Sequence, residues 1–265
     1  MPSPPAPRRI RKAERRQQIL LELKLKPHVR VADLAAQYGV STETIRRDVA
    51  DLSEDGHLRR AFGGASAPHP GVRRDLDERR AQRVAERETM ARYAATLVKD
   101  GDTIMIDAGA TTMEFARFLS YAGTQVVALT NSLQVAMILG QSKAARVLLA
   151  PGDYLPEEAA VTGIETVDFI ARYNATACFL GASALSAAGV TEAIAPFVHV
   201  KRMMLRQSQK NHFLIDASKI GQTHLSTIAT CAEINVLITD RAPSDAMSMT
   251  LKTAGAEILV PPPAP

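Results

Sequence analysis

Beyond residue 100, hydrophobic residues fall into short, nearly continuous apolar runs that are separated by longer helical patterns. Seven runs predict strands, at residues 103–106, 125–129, 146–149, 176–180, 213–215, 236–238 and 257–260. Strands of a parallel sheet are buried on both faces, so their apolar character is nearly continuous rather than alternating. The pattern therefore predicts an α/β domain with a mostly parallel sheet that helices cover on both sides.

The N-terminal part of the chain has a helical periodicity instead. Residues 13–25 predict a first helix, and a second has four apolar residues on one face, Val31, Leu34, Ala35 and Tyr38. The second helix ends at Gly39, and Ser41 is the predicted N-cap of a third helix, which carries the apolar stripe Ile45, Val49 and Leu52. Two short helices joined by a tight glycine turn predict a helix-turn-helix.

The third helix has the residue types of a DNA-recognition helix. With its apolar stripe turned to the core, Arg47 lies on the opposite face and Arg46 on a flank. Arginine can pair bidentately with a guanine edge in the major groove. Three hydroxyl residues at the start of this helix suit phosphate oxygens: Ser41, Thr42 and Thr44. The alternative is that the Arg-Arg-Asp run is a solvated face with local salt bridges.

A short basic segment, residues 56–65, follows the third helix and ends in a glycine pair. Its strand-like pattern predicts a hairpin that forms a wing beside the recognition helix. Arg59 and Arg60 would then lie near the DNA backbone. The alternative is a simple loop.

The composition is that of a folded globular protein, with 265 residues, 46% hydrophobic and 23% charged. The net charge of +4 is unevenly distributed: residues 1–92 hold 20 Lys/Arg and 13 Asp/Glu, whereas residues 93–265 hold 12 and 15. A basic region joined to a mildly acidic one predicts a nucleic-acid-binding module fused to a second domain. We expect a disordered basic tail at 1–12, a winged helix-turn-helix at 13–65, a linker at 66–80 and an α/β domain at 81–265.

Several other classes of protein are not favoured. Two cysteines are too few for a disulfide framework, and the six histidines have no metal-ligand spacing, so we expect no metal and no cofactor. The N-terminus leads into no apolar signal segment, and no apolar run approaches the length of about 18 residues that a membrane span needs. A cytoplasmic protein without membrane contact is expected.

The strand at 103–106 enters a loop that suits an anion. Asp107, Gly109, Thr111 and Thr112 stand where the strand passes into a helix, so amides, hydroxyls and the helix dipole can converge on a phosphate. The loop is neither a Walker A loop nor a GxGxxG fingerprint, so nucleotides are disfavoured. The alternative is that Thr111 is only a helix cap and Asp107 only a turn residue.

Two further strand ends carry polar residues. Thr130, Asn131 and Ser132 suit sugar oxygens, and Asp216 and Lys219 add a carboxylate and a cation. Ligands of open α/β sheets bind outside the carboxyl ends of the strands. The three polar ends together predict one site for a phosphorylated sugar or a similar effector.

Motifs in both parts of the chain resemble those of one known family. The sequence VSTETIRRD at residues 40–48, followed by G-x-L-x-R-x-x-GGA at 56–65, resembles the winged helix-turn-helix of the DeoR family of bacterial transcription regulators. Residues 84–240 resemble the effector domain of that family through D-x-G-x-T-T, T-N-S, D-x-S-K and I-T-D. The resemblance implies a fold similar to ribose-5-phosphate isomerase and a response to phosphorylated sugars, and it adds Gly152, Glu192 and Lys201 to the effector-binding residues.

Two departures from the family pattern leave the particular sugar open. Pro151-Gly152 stands where a glycine pair is usual, and Ser183-Ala184 stands where Asp/Asn-Gly is usual. The leading hypothesis is a repressor of a sugar or polyol operon that acts on operator DNA as a dimer or tetramer. An isomerase-like enzyme is the rival, but the loop at 182–185 lacks the carboxylates of the isomerases, and only Glu192 and Asp216 remain. A nonspecific architectural DNA binder is the third alternative.

Overall fold

The computed structural model describes residues 12–25, 28–54, 58–61, 64–66, 76, 79 and 83–262. The predicted basic tail and most of the predicted linker lie outside these residues. The chain divides into two compact units, residues 1–73 and 74–265.

The first unit is a winged helix-turn-helix. Its helices are α1 (Lys12–Leu25), α2 (Val31–Tyr38) and α3 (Thr42–Glu54), and its strands are β1 (His28–Arg30), β2 (Arg59–Ala61) and β3 (Gly64–Ser66). The strands form an antiparallel sheet in the order β1-β3-β2, in which the β2–β3 hairpin is the predicted wing. Strand β1 was not predicted, because three residues are too short to show a period of two.

The turn between α2 and α3 forms as predicted. Gly39 adopts the left-handed conformation, with φ of +62°, and its N–H donates to the carbonyl of Ala36. The Ser41 hydroxyl accepts the N–H of Thr44 at 3.2 Å and so caps α3. The apolar stripes of the three helices meet in one core, of which Ile19, Leu34 and Ile45 are among the least exposed members.

The second unit alternates strands and helices. Its helices are α4 (Val84–Thr96), α5 (Ala110–Ala122), α6 (Leu133–Leu139), α7 (Ile164–Ile170), α8 (Ala195–Arg206) and α9 (Asp245–Thr253). Its strands are β4 (Thr103–Ile106), β5 (Val126–Thr130), β6 (Ala145–Leu149), β7 (Asp153–Leu155), β8 (Ala160–Thr162), β9 (Ala175–Gly181), β10 (Ala184–Ser186), β11 (Gly189–Glu192), β12 (Ser208–Leu214), β13 (Ser226–Ala229), β14 (Val236–Ile238) and β15 (Glu257–Leu259).

All seven predicted strands belong to one parallel sheet, in the order β15-β14-β12-β9-β4-β5-β6. Alternate residues of each strand enter two separate cores. Ile104 and Ile106 pack with α4, α5 and α6 on one face, whereas Met105 packs in the core that holds α7, α8 and α9. The predicted α/β architecture, with helices on both faces of the sheet, is confirmed.

Short antiparallel strands lie near the carboxyl ends of the strands of this sheet. β7 and β8 form a hairpin, and β10, β11 and β13 form a three-stranded sheet. Each has only three or four residues, so its hydrophobic pattern does not stand out in the sequence. These strands place Glu192 and the residues around Glu158 near the carboxyl ends of the large sheet.

Candidate functional site

The outer surface of α3 presents two arginines. The side chains of Arg46 and Arg47 are 65% and 78% exposed, and each lies near Glu43, at 3.7 Å and 3.5 Å. Exposed ion pairs of this kind contribute only about 0.2–1 kcal/mol, so they do not prevent the arginines from binding another partner. Both side chains are exposed, and their role in DNA recognition stays a prediction.

The aspartate next to these arginines has a different role. Asp48 is 1% exposed, and its carboxylate accepts from Arg15 Nε of α1 at 2.6 Å and lies 3.5 Å from Arg16 Nε. The Arg-Arg-Asp run is therefore not a uniform solvated face, since its third member holds α3 against α1. Sequence reasoning missed this pair because the two residues are 33 positions apart.

The remaining DNA-binding assignments stay predictions. Besides capping α3, the Ser41 hydroxyl lies 2.9 Å from that of Thr44, and Thr42 is exposed at the first position of the helix. Arg59 and Arg60 belong to β2, but their side chains lie outside the described part of the chain.

In the second unit, the carboxyl ends of four adjacent strands carry the predicted effector residues. The register pairs Ile106 with Thr130 and with Phe179, and Leu214 with Gly181. The residues at the carboxyl ends of these neighbouring strands therefore lie at the same end of the sheet: Asp107, Asn131, residues 181–183 and Asp216. From β4 to β6 the chain adds strands towards one side of the sheet, and from β9 to β15 it adds them towards the other side. The order therefore reverses between β4 and β9, and open α/β sheets bind ligands at such a point.

Lys201 lies at this reversal point in a buried network. Its ammonium is 2.8 Å from Asp107 Oδ2, 2.8 Å from Glu192 Oε2 and 2.7 Å from the Gly181 carbonyl oxygen. All three charged residues are 3% exposed or less. Because an ammonium has three donors, these three contacts account for the hydrogen-bonding capacity of Lys201.

Glu192 is held equally closely. Its Oε1 accepts from the backbone N–H groups of Ala193, at 2.8 Å, and Ile194, at 3.1 Å, and from the Ser183 hydroxyl. The Asp107 carboxylate accepts the Gly181 N–H at 3.2 Å. The network therefore joins the ends of β4, β9 and β11 to α8.

The pKa values of this network reflect two carboxyl groups around one ammonium. Burial raises the pKa of Asp107, the Glu192 charge raises it further, and Lys201 and the Gly181 N–H oppose this shift. Burial lowers the pKa of Lys201, but Asp107 and Glu192 outweigh it, so that this pKa lies above its ordinary value. Lys201 is therefore charged at neutral pH, and the network carries no excess of positive charge.

A second cluster borders the first through the segment after β9. Lys219 Nζ donates to the carbonyl of Ala182 at 3.0 Å and lies 3.5 Å from Asp216 Oδ2. Asp216 also accepts the Ser218 N–H at 3.2 Å and so caps a short 3-10 helix at 217–219. Residues 181–183 thus contact four predicted site residues, Asp107, Glu192, Lys201 and Lys219, and Lys219 extends the network to Asp216.

The loop after β4 leaves a helix N-terminus uncapped. No side chain among the described residues caps α5, whose N-cap is Gly109. The Thr112 hydroxyl lies 3.0 Å from the carbonyl oxygen of Asp107 and 3.1 Å from that of Gly109, so its proton is used locally. The first N–H groups of a helix have no partner within it, and α5 begins directly after the carboxyl end of β4, so these groups lie at that end of the sheet.

The residues after β5 contact the β7–β8 hairpin. Asn131 Nδ2 donates to the Val161 carbonyl at 2.9 Å, and the Asn131 carbonyl accepts the Val161 N–H at 2.8 Å. Thr130 Oγ1 accepts the N–H of Ser132, and Ser132 caps α6. Asn131 is 1% exposed, and its Oδ1 has no hydrogen-bond partner within the part of the chain that the structure describes.

Gly152 has a steric role. Its φ is +146°, and a Cβ at this position would lie 2.1 Å from Thr166 Oγ1 and 2.3 Å from the Thr162 carbonyl oxygen. Only glycine therefore fits the backbone here. Its assignment as an effector contact stays a prediction, as do those of the other residues at this edge.

In the part of the chain that the structure describes, no group of three or more His, Cys, Asp or Glu side chains is arranged to hold a metal ion. None of the helices described is both long enough and apolar enough to cross a membrane.

The fold joins a winged helix-turn-helix to an α/β domain, which is the architecture of a transcription regulator. Comparison with known families gives the same result: residues 15–71 match the DeoR-like helix-turn-helix domain, and residues 82–241 match the DeoR C terminal sensor domain. The chain belongs to the DeoR family. It is a transcription regulator and not an enzyme, as the sequence predicted.

Individual relatives match over nearly the whole chain. A putative aga operon transcriptional repressor of Escherichia coli O157:H7 is 30% identical over 94% of this chain and 93% of its own length. The glycerol-3-phosphate regulon repressor of Escherichia coli K12 is 28% identical over 88% of this chain and 93% of its own. Among solved structures, ribose 5 phosphate isomerase A from Neisseria gonorrhoeae aligns with 51% of this chain and 52% of that chain, at 19% identity and a TM-score of 0.38.

Proposed function

We propose that the protein represses an operon for the use of a sugar or polyol and that a phosphorylated sugar or polyol releases it from its operator. The observation that carries this proposal is the edge where the strand order reverses. Among the described residues, no side chain caps the N-terminus of α5 and none contacts Asn131 Oδ1, and both lie at this end of the sheet with the carboxylates of Asp107 and Asp216. A helix N-terminus attracts phosphate, and carboxylate and amide oxygens accept from sugar hydroxyls.

The contacts favour a particular orientation of the ligand. The three donors of Lys201 are already used within the protein, so this lysine does not supply the charge that neutralises a phosphate. The phosphate is instead held by the N–H groups of the first turn of α5 and by Thr111, where the helix dipole stabilises negative charge. The hydroxyl groups of the ligand then reach Asn131.

The names of the relatives support the same class of ligand. One similar repressor is named for the glycerol-3-phosphate regulon and another for the aga operon. The exposed Arg46 and Arg47 of α3 support recognition of a specific operator in the major groove. In this proposal the protein acts in the cytoplasm. It binds DNA as a dimer or tetramer, because two recognition helices can then contact half-sites about 34 Å apart.

Release from DNA requires the ligand to prefer one arrangement of the protein. Shifting a population from 1:99 to 99:1 takes about 5.5 kcal/mol of differential affinity. Smaller preferences change the affinity for DNA by a smaller factor, in the same direction.

A thermal-shift screen tests the ligand class, because a ligand that binds the folded state raises its apparent stability. The screen compares phosphorylated sugars and polyols with the same compounds without phosphate. We expect at least one phosphorylated compound, and not its unphosphorylated form, to stabilise the wild type. Thr111→Val should weaken the response, whereas Thr250→Val on α9 should not. Equal responses with and without phosphate would contradict the proposed site.

A further inference from the structure

The chain enters the sensor domain through residues that are anchored on it. Leu76 is 5% exposed and packs in the core that α4 and α5 share. It is the first residue of the second unit that the structure describes, and it follows the DNA-binding unit in the chain. An apolar anchor at this point fixes the start of the sensor domain rather than leaving it as a loose tether.

An ion pair next to this anchor reaches the β7–β8 hairpin. The guanidinium of Arg79 pairs with the carboxylate of Glu158, and the two side chains are 23% and 8% exposed. Arg87 of α4 donates to the Arg79 carbonyl at 2.7 Å and holds the backbone there. A pair so little exposed is screened by solvent much less than a surface pair.

A second ion pair reaches the predicted effector site directly. Arg83 Nε lies 3.8 Å from Asp216 Oδ1, and the Asp216 side chain is only 9% exposed. Lys219 is near the other oxygen of the same carboxylate, at 3.5 Å. Arg83 and Lys219 therefore share a carboxylate that the proposed ligand also contacts.

The backbone is strained beside both pairs. Among the residues that the structure describes, only Arg83 and Ala159 are non-glycine residues with positive φ, at +49° and +46°. Arg83 forms one of the two pairs, and Ala159 follows Glu158 of the other. Such conformations cost energy, persist where the surroundings enforce them, and cluster in switch regions.

Glu158 is linked to the effector site through its hairpin. The Ala159 carbonyl accepts the N–H of Leu133, and Ala160 forms a bridge with Ser132. Val161 exchanges hydrogen bonds with Asn131, whose Oδ1 accepts no hydrogen bond from the described residues. A ligand that moves Asn131 therefore also moves the strand that begins two residues after Glu158.

We propose that the pairs Arg79–Glu158 and Arg83–Asp216 form a latch that couples the effector site to the segment leading to the DNA-binding domain. The proposal rests on the proposed function for the identity of the ligand. The hydroxyl groups of the ligand compete with Arg83 for Asp216, and a ligand that moves Asn131 shifts the hairpin that carries Glu158 away from Arg79. Ligand binding therefore opposes both pairs of the closed latch, and an open latch corresponds to the form with weak DNA binding.

The test uses the full chain and leaves the predicted ligand contacts unchanged. Arg79→Gln and Glu158→Gln each break the first pair, the double variant R79E/E158R restores it with exchanged charges, and Glu157→Gln makes the same change at an exposed neighbour. Two quantities are measured without any ligand: amide hydrogen exchange at Leu76, Arg79 and Arg83, and the Kd for a DNA duplex that the wild type selects from a random library.

We expect both single variants to exchange faster at the three amides and to bind the selected duplex about three- to tenfold more weakly, a range typical of residues that modulate coupling. The exchanged pair should recover both properties in large part, and Glu157→Gln should behave as the wild type. Faster exchange with unchanged or tighter DNA binding would overturn the latch, and so would unchanged exchange in folded single variants.

The same variants distinguish the latch from the proposed function. Titrations with sn-glycerol 3-phosphate, glucose 6-phosphate and fructose 1-phosphate follow the release of the duplex. If none of them releases the wild type while the single variants still bind DNA more weakly, the ligand class is wrong and the latch stands. If a phosphorylated compound releases the wild type and both single variants by the same factor, the latch is wrong and the proposed function stands.

Discussion

The Lys201 ammonium lies 2.8 Å from the Asp107 carboxylate, and this buried pair ties α8 to the end of β4 at the point where the strand order reverses. The arrangement gives Lys201 a structural role in the site. The lysine neutralises carboxylates that would otherwise be buried without a cation, and it shapes the end of the sheet where we propose that the ligand binds.

Lys201→Met is accordingly expected to destabilise the sensor domain. It leaves Asp107 and Glu192 buried without their cation, and breaking a buried pair in this way costs about 3–5 kcal/mol. Chemical denaturation measures the loss. The matched control is Lys252→Met on α9, where the lysine is exposed and a change below about 0.5 kcal/mol is expected. A Lys201→Met protein of wild-type stability with reduced ligand affinity would show that Lys201 is a ligand contact instead.

Asp48→Asn is expected to destabilise the DNA-binding domain. The carboxylate of Asp48 is buried against Arg15, so the substitution leaves a nearly buried guanidinium without the negative charge of Asp48. We expect the free energy of unfolding to fall by about 3–5 kcal/mol. Asp51→Asn on the same helix is the control, because the Asp51 side chain is 41% exposed and should change stability by about 1 kcal/mol or less. Equal effects of the two variants on thermal unfolding would contradict the role of the buried pair.

Arg47→Ala should weaken binding to the selected operator by about 1–3 kcal/mol and relax the preference at one base position, because a bidentate contact to guanine is lost. Arg60→Ala on the wing should instead weaken binding to all sequences and lower the salt slope by about 1. Fluorescence anisotropy with operator and random duplexes at several salt concentrations separates the two effects. If Arg47→Ala weakens binding to the operator and to the random duplex by the same factor, the recognition face is misassigned.

Acid should destabilise the sensor domain through His212. Its ring stacks on Phe179 with centroids 4.5 Å apart, and burial lowers its pKa from 6.5 to about 4. Between these pH values the unfolded chain binds a proton that the folded chain does not bind. The contribution of His212 is therefore present above about pH 6.5 and is lost as the pH falls towards 4, by an amount on the order of 3 kcal/mol.

His212→Asn removes this titration and keeps a donor near the position of Nδ1. Urea unfolding from pH 7 to pH 4 should show a smaller loss of stability for this variant than for the wild type. The exposed His199→Asn serves as control and should follow the wild-type curve. Parallel curves for all three proteins would contradict a buried neutral imidazole.

The large sheet was predictable because each of its strands contains a short, nearly continuous apolar run. The runs at 103–106 and 236–238 have the same bounds as β4 and β14, and the five other predicted strands differ from the observed ones by a few residues at their ends, the largest difference being the start of β12. The turn at Gly39 and the cap at Ser41 were predictable because each depends on the chemistry of one residue type.

Pairs between distant residues were not predictable. Arg15 with Asp48 and Arg79 with Glu158 join positions 33 and 79 residues apart, and nothing in the local pattern marks either partner. Lys201 was included among the site residues only through the family resemblance, and its three contacts depend on how β4, β9 and β11 meet. The sequence locates the polar strand ends, whereas the fold decides which side chains are already used within the protein.

The affinity for operator DNA with and without a phosphorylated sugar or polyol tests the account most directly. The wild-type protein is titrated onto its selected duplex in the presence of the phosphorylated compound that stabilises it most, and in parallel with the unphosphorylated form. The account predicts that only the phosphorylated compound weakens DNA binding and that Thr111→Val retains DNA binding but loses this response. DNA binding that is the same with and without every stabilising compound would contradict it.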